Sequence, residues 1–213
     1  MPPIAARLAL ASFALVSALH LLSLITGPSW LEFVTKALLM PTLAAWVVLR
    51  RGPWLVVAAL GFSTMGDVLL QLDGLFIAGM AGFAAAHVCY VTFFVRSGAV
   101  RALRRRWPVV VFYLLAWAGL LWLLWPGLGD LQLPVAAYSL LLTATAVTSA
   151  GFSLRAGIGG ALFLISDSLI AARIADLPMP PLGDLWVMIT YLLAQYLLAS
   201  AATNRANPPP IMA

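Results

Sequence analysis

Charge is what this sequence lacks most. Only 9% of its 213 residues are Asp, Glu, Lys or Arg, against about 25% in soluble domains. A chain this poor in charge could not cover its own surface with polar groups. That excludes an ordinary water-soluble enzyme, a disordered chain and a nucleic-acid module. Histidine is nearly absent, at two residues, and cysteine is represented by Cys89 alone. No intramolecular disulfide can form, so the cysteine count says nothing about the redox compartment. Two histidines far apart in sequence, with no His-x-Glu or His-Cys spacing, make a poor metal constellation, and we expect no metal and no cofactor. The nucleophile elbow, the dinucleotide-binding glycine pattern and the phosphate-binding loop are all missing.

What is present is apolar length. The sequence is 63% hydrophobic, with mean hydropathy +1.03. A helix crossing a bilayer needs about 20 apolar residues. Eight such windows occur, at residues 8–25, 30–49, 54–72, 75–95, 107–125, 133–152, 158–175 and 185–202. Breakers separate them, among them Gly27-Pro28, Gly52-Pro53, Asp73-Gly74, Pro126-Gly127 and the prolines 178, 180 and 181. The expected fold is all-α: one polytopic transmembrane helix bundle over residues 1–213, of about eight spans. Trp30, Trp54, Trp107, Trp122, Trp125 and Trp186 lie near span ends, as an interfacial aromatic belt requires. The first window resembles a signal peptide, with Arg7 ahead of it and Val16-Ser17-Ala18 inside it, but its apolar run continues to Ile25. We read it as a retained helix.

The few charges set orientation. With the N-terminus inside, the cytoplasmic segments hold Arg7, Arg50, Arg51, Arg96, Arg101, Arg104, Arg105, Arg106, Arg155 and Arg205. The outside holds Arg173 with Asp73, Asp130, Asp176 and Asp184. The positive-inside rule then places both termini in the cytoplasm. The net charge of +5 is thus a topology signal rather than a nucleic-acid footprint. The Arg101–Arg106 cluster is read as a topology anchor in a loop, with anionic lipid headgroups as the alternative partner.

Inside the spans the ionisable residues are His20, Lys36, Asp67, His87 and Asp167. Each costs free energy in hydrocarbon and is a functional-site hypothesis by default. At 1.5 Å per residue, Lys36 lies about 9 Å, Asp67 about 8 Å and Asp167 about 12 Å below the outer ends of their helices. Three charges on three helices therefore fall in the outer half of the membrane. Ser63, Gly66, Asp67 and Leu70 share a helical face, as do Phe83, Ala86, His87 and Tyr90, and Tyr191 with Gln195. Gly159, Gly160, Ser166 and Ser168 make the Asp167 helix small and polar, and such hydroxyls can hold a carboxylate. Lys36 has a simpler alternative as an i, i+4 partner of Glu32 that snorkels outward. His20 reads as an interfacial hydrogen-bonding residue. Residues 63–70 (STMGDVLL) and 164–170 (LISDSLI) also hint at a parallel duplication, four spans apart.

These residues carry a resemblance. The chain is similar to the YhhN-like family of membrane lysoplasmalogenases through Thr35-Lys36 with Met40-Pro41, STMGDVLL at 63–70, Phe76-Ile77-Ala78-Gly79, FAAAHVCY at 83–90, GALFLISDSLI at 160–170 and YLLAQ at 191–195. These pieces stand in family order over residues 35–203. One departure is Ala37, where the family often has proline. The resemblance implies hydrolysis of the vinyl-ether bond of a lysophospholipid, a lysoplasmalogen, to a fatty aldehyde and a glycerophospho-ethanolamine or -choline. That chemistry needs a general acid and a carboxylate base or charge stabiliser, and no nucleophile triad. Asp67 and Asp167 are the expected catalytic pair. Lys36 would hold the ionised partner or meet the lipid phosphate. His87, Tyr90 and Gln195, with Ser63, Ser166 and Tyr191, would line the substrate cavity or position water. The implied setting is a bacterial inner membrane. Two other readings stay open: a small proton-coupled transporter, and a different intramembrane lipid hydrolase acting on an amide or ester, with or without a metal.

Overall fold

A computed structural model describes residues 3–206. Among the described residues it is helical with no strand. The helices are α1 (Ile4–Thr26), α2 (Ser29–Leu49), α3 (Trp54–Leu69), α4 (Phe76–Arg96), α5 (Ala99–Arg105), α6 (Trp107–Leu124), α7 (Gln132–Phe152), α8 (Leu154–Ile174) and α9 (Gly183–Ala206). Two single 3-10 turns, Trp125–Gly127 and Gly129–Leu131, join α6 to α7. Seven of the helices are long and apolar enough to cross a membrane, and α3 is a shorter apolar helix. The eight apolar windows thus correspond to the eight long helices.

The helix ends show where local signals act. Gly27-Pro28 separates α1 from α2, and Pro53 immediately precedes α3. α3 stops at Leu69, three residues before the end of its apolar window, and the chain turns through residues 70–75. α8 starts at Leu154, four residues before its window. Ser153 takes an extended conformation (φ −165°, ψ 160°), and its Oγ accepts a hydrogen bond from the Ala156 N–H at 3.2 Å. This cap restarts the helix at once, so Arg155 occupies its first turn rather than a loop. The Arg101–Arg106 segment also differs from expectation. Gly98, at φ +90°, turns the chain into the seven-residue helix α5. Ala99 and Leu103 are buried while Arg101, Arg104 and Arg105 are exposed. A Cβ on Gly151 of α7 would collide with the Leu103 side chain and the Ala99 carbonyl, so α5 lies tight against α7.

The chain forms two compact units. One runs to Tyr90 and resumes at Tyr196; the other is Val91–Gln195, so the boundaries fall within α4 and α9. In the first unit, α1 packs on α2 and α2 on α3. Leu39, Met40, Leu43 and Val47 of α2 and Val56, Ala59 and Leu60 of α3 are fully buried. Pro41 removes one bond of the α2 backbone ladder, yet the helix continues through it, held by these buried neighbours. In the second unit, α7 packs on α6 and α8. Gly157 and Gly160 of α8 lie against Ala146, Ser149 and Ala150 of α7 so closely that a Cβ would meet backbone. In a membrane, where lipid tails are as apolar as leucine, such small-residue seams replace the hydrophobic effect as the packing force. The six tryptophans near window ends are all exposed. Trp46 is instead buried in the first unit, its ring 6.2 Å from Tyr196.

Candidate active site

In the first unit the expected site residues stand on α2, α3 and α4. Asp67 of α3 is 2% exposed, and Ser63, one turn earlier, is fully buried, as are His87 and Tyr90 of α4. None of these four is without an interaction. The α3–α4 seam explains how a carboxylate is held there. A Cβ on Gly82 would lie 2.9 Å from the backbone nitrogen of Gly66, and one on Gly66 would lie 2.7 Å from a ring carbon of Phe83. The backbones therefore touch beside Asp67. Lys36 of α2 is half-buried, and no ion pair within 4.0 Å joins it to Glu32, so the simple i, i+4 pairing is not formed.

His20 is fully buried, and its Nδ1 lies 2.9 Å from the Thr35 hydroxyl across the α1–α2 seam. Thr35 donates its own proton to the Leu31 carbonyl at 2.6 Å. The His20 Nδ1 therefore carries the hydrogen donated to Thr35. Among the described residues, Nε2 has no hydrogen-bond partner. The expected hydrogen-bonding role of His20 is thus the one the geometry gives it.

The second unit places Asp167 in a different environment. Asp167 is half-buried, and the Tyr138 hydroxyl of α7 donates a hydrogen bond to its Oδ2. Both line a cavity of about 380 Å³ between α6, α7 and α8, within the range of small-molecule sites. Its walls are largely aliphatic, with Leu120, Leu124, Leu142 and Leu164 among them. Its other polar side chains are turned on one another or on the backbone. The Trp117 indole N–H donates to the Ser139 hydroxyl at 2.9 Å, Ser139 donates to the Ala136 carbonyl, and Ser168 donates to the Leu164 carbonyl. The polar chemistry this cavity offers an occupant is therefore the Asp167–Tyr138 pair.

The remaining expected residues divide by task. Ser166, next to Asp167, donates its hydroxyl to the Val187 carbonyl at 3.0 Å and so joins α8 to α9. Tyr191 packs edge-on against Phe163, ring centroids 5.5 Å apart. Gln195 is fully buried and engaged. Tyr138 and Trp117 were not singled out by sequence reasoning. A hydroxyl-bearing Tyr138–Ser139 pair inside an apolar window was the available signal, but its partner lies 29 residues away. Replacing Tyr138 with Phe removes a bond to a carboxylate. It is expected to lower stability by about 1–3 kcal/mol, read as earlier thermal unfolding in detergent.

The two units share a local layout. In each, a ring N–H reaches a hydroxyl on the next helix, His20 to Thr35 and Trp117 to Ser139. In each, the residue before the aspartate faces the following helix, Gly66 toward Phe83 and Ser166 toward Val187. Among the described residues, no three His, Cys, Asp or Glu side chains are grouped to hold a metal ion.

Comparison with known proteins adds relatives. The model of the YhhN family matches residues 31–202. Lysoplasmalogenase TMEM86B of Homo sapiens is 34% identical over 185 residues, covering 84% of this chain and 79% of the relative. The lysoplasmalogenase of Mycobacterium tuberculosis is 34% identical over 165 residues, 68% of this chain and 60% of that protein. Lysoplasmalogenase TMEM86A of Bos taurus is 28% identical over 214 residues, 86% of this chain and 82% of the relative. No solved structure matches the chain.

Proposed function

The chain belongs to the YhhN family, and from that premise we propose that it is an integral-membrane hydrolase of lysoplasmalogens. It cleaves the vinyl-ether bond, releasing a fatty aldehyde and a glycerophospho-ethanolamine or -choline. The relatives named lysoplasmalogenase support the reaction. The observation that carries the chemistry is Asp167, held by Tyr138 at the wall of an apolar cavity. A lipid ether needs such a combination, an apolar berth with a proton-transferring group at one point.

The chemistry is short. A general acid protonates the vinyl carbon remote from the oxygen, giving an oxocarbenium ion. Water, deprotonated by a base, adds to the carbon bonded to oxygen. The resulting hemiacetal collapses to the aldehyde and the glycerol hydroxyl. One carboxyl group serves as acid, and the other as base or as stabiliser of the developing positive charge. In this reading Asp67 and Asp167 supply the two carboxyl groups. Lys36 meets the lipid phosphate or holds the ionised carboxylate, and His87, Tyr90 and Gln195 position substrate or water. The setting is the outer half of a bacterial inner membrane.

The test is aldehyde release by detergent-purified protein given lysoplasmenyl-ethanolamine. Aldehyde is expected from the unaltered protein. No release from protein shown to be folded overturns the reading.

A further inference from the structure

We propose that the cavity between α6, α7 and α8 is the berth of the substrate's hydrocarbon chain, with α6 setting the length and bulk it accepts. The inference deepens the proposed function, and rests on it for the identity of the chain-bearing lipid.

Three observations converge. The cavity's walls are largely aliphatic, and its serine hydroxyls and indole N–H are committed to each other or to backbone carbonyls. It therefore repels a headgroup and accepts an alkyl or alkenyl chain. A carboxylate nevertheless sits in its wall, bonded to Tyr138. A groove that merely received bulk lipid tails would gain nothing from Asp167, because a carboxylate in an apolar span costs free energy. Finally, one wall is built differently from the others. Among the residues of α6, Leu124 alone is buried, so that wall is thin, yet Trp117 is pinned across the gap to Ser139 of α7. The pin fixes the indole as a rigid surface of the cavity.

The probe is an alkyl-ether lysophospholipid, which lacks the reactive double bond, carrying a diazirine at its chain end. It is photolysed with the protein in lipid nanodiscs and the label is mapped by mass spectrometry. Label is expected on the α6 and α8 residues that line the cavity, and excess lysoplasmenyl-ethanolamine is expected to compete it away. Ala116 lines the cavity but is exposed on α6, so Ala116→Trp narrows the berth without displacing a buried side chain. That variant is expected to lose most of the label. Its kcat/KM is expected to fall about tenfold for long chains relative to short ones. Ser139→Ala unpins Trp117 and is expected to flatten the dependence on chain length. Label scattered over exposed helix faces, indifferent to competitor and to Ala116→Trp, overturns the inference. Cavity labelling without aldehyde release leaves this berth standing and overturns the vinyl-ether reading. Aldehyde release with label elsewhere does the reverse.

Discussion

Asp67→Asn and Asp167→Asn are each expected to reduce aldehyde release by about 10²–10⁴-fold, the usual contribution of a positioned acid or base. The substitution is nearly isosteric, so the loss reflects the carboxyl group rather than packing. Asp67 is 2% exposed in a seam where backbones touch, which leaves no room for a larger change. At Asp167 the asparagine carbonyl can still accept the Tyr138 hydroxyl, so the wall of the cavity is kept. The measurement is kcat and KM for each variant, with thermal unfolding in the same detergent as a control on folding. A fall in kcat with KM retained marks a group acting in the transition state. A rise in KM alone assigns the residue to binding. Retained turnover in both variants removes the two-aspartate mechanism.

The second large effect is expected at the α3–α4 seam. Gly82→Ala sets a methyl group 2.9 Å from the Gly66 nitrogen and 3.0 Å from its Cα. Both are backbone atoms of a helix and cannot yield without moving α3. Overpacking of this kind costs about 1–3 kcal/mol. Because Gly66 precedes Asp67, the displacement is also expected to carry the carboxylate with it and to lower turnover. Gly66→Ala meets a different obstacle, chiefly the Phe83 ring, with the Gly79 carbonyl oxygen at 3.1 Å. Phe83→Leu is therefore expected to recover part of the stability lost in Gly66→Ala and none of that lost in Gly82→Ala. Thermal unfolding of the two double variants against the singles reads the coupling directly. Equal recovery in both would show that the seam is not held by these contacts.

Local physics makes part of this molecule readable from its sequence. Hydrophobic length and the Gly/Pro breaks between windows are properties of neighbouring residues, so the eight long helices could be located within a few positions. The expense of an ionised group in hydrocarbon is likewise visible without a structure, and it marked Asp67 and Asp167. The same locality explains the misplaced ends. The window ending at Leu72 reads apolar through the turn that closes α3, and the cap at Ser153 is a backbone conformation, not a composition. α5 was hidden because three arginines dominate seven residues, while its buried face is defined by Gly151 on another helix.

What the tertiary structure alone decided is pairing across distance. Tyr138 meets Asp167 across 29 residues and Trp117 meets Ser139 across 22. Hydropathy carries no trace of either contact, because it scores each residue by its type and not by its partner. Of the tryptophans, six face outward near window ends, whereas Trp46 is buried and Trp117 lines the cavity. Ser166 could have served its neighbour Asp167, but the packing of α8 on α9 turns its hydroxyl to Val187. The sequence determined which residues enter the membrane, because transfer from water to hydrocarbon acts on each segment separately. Only packing decided what they face there, because the close approach of two helices depends on small residues and hydroxyls far apart in the chain.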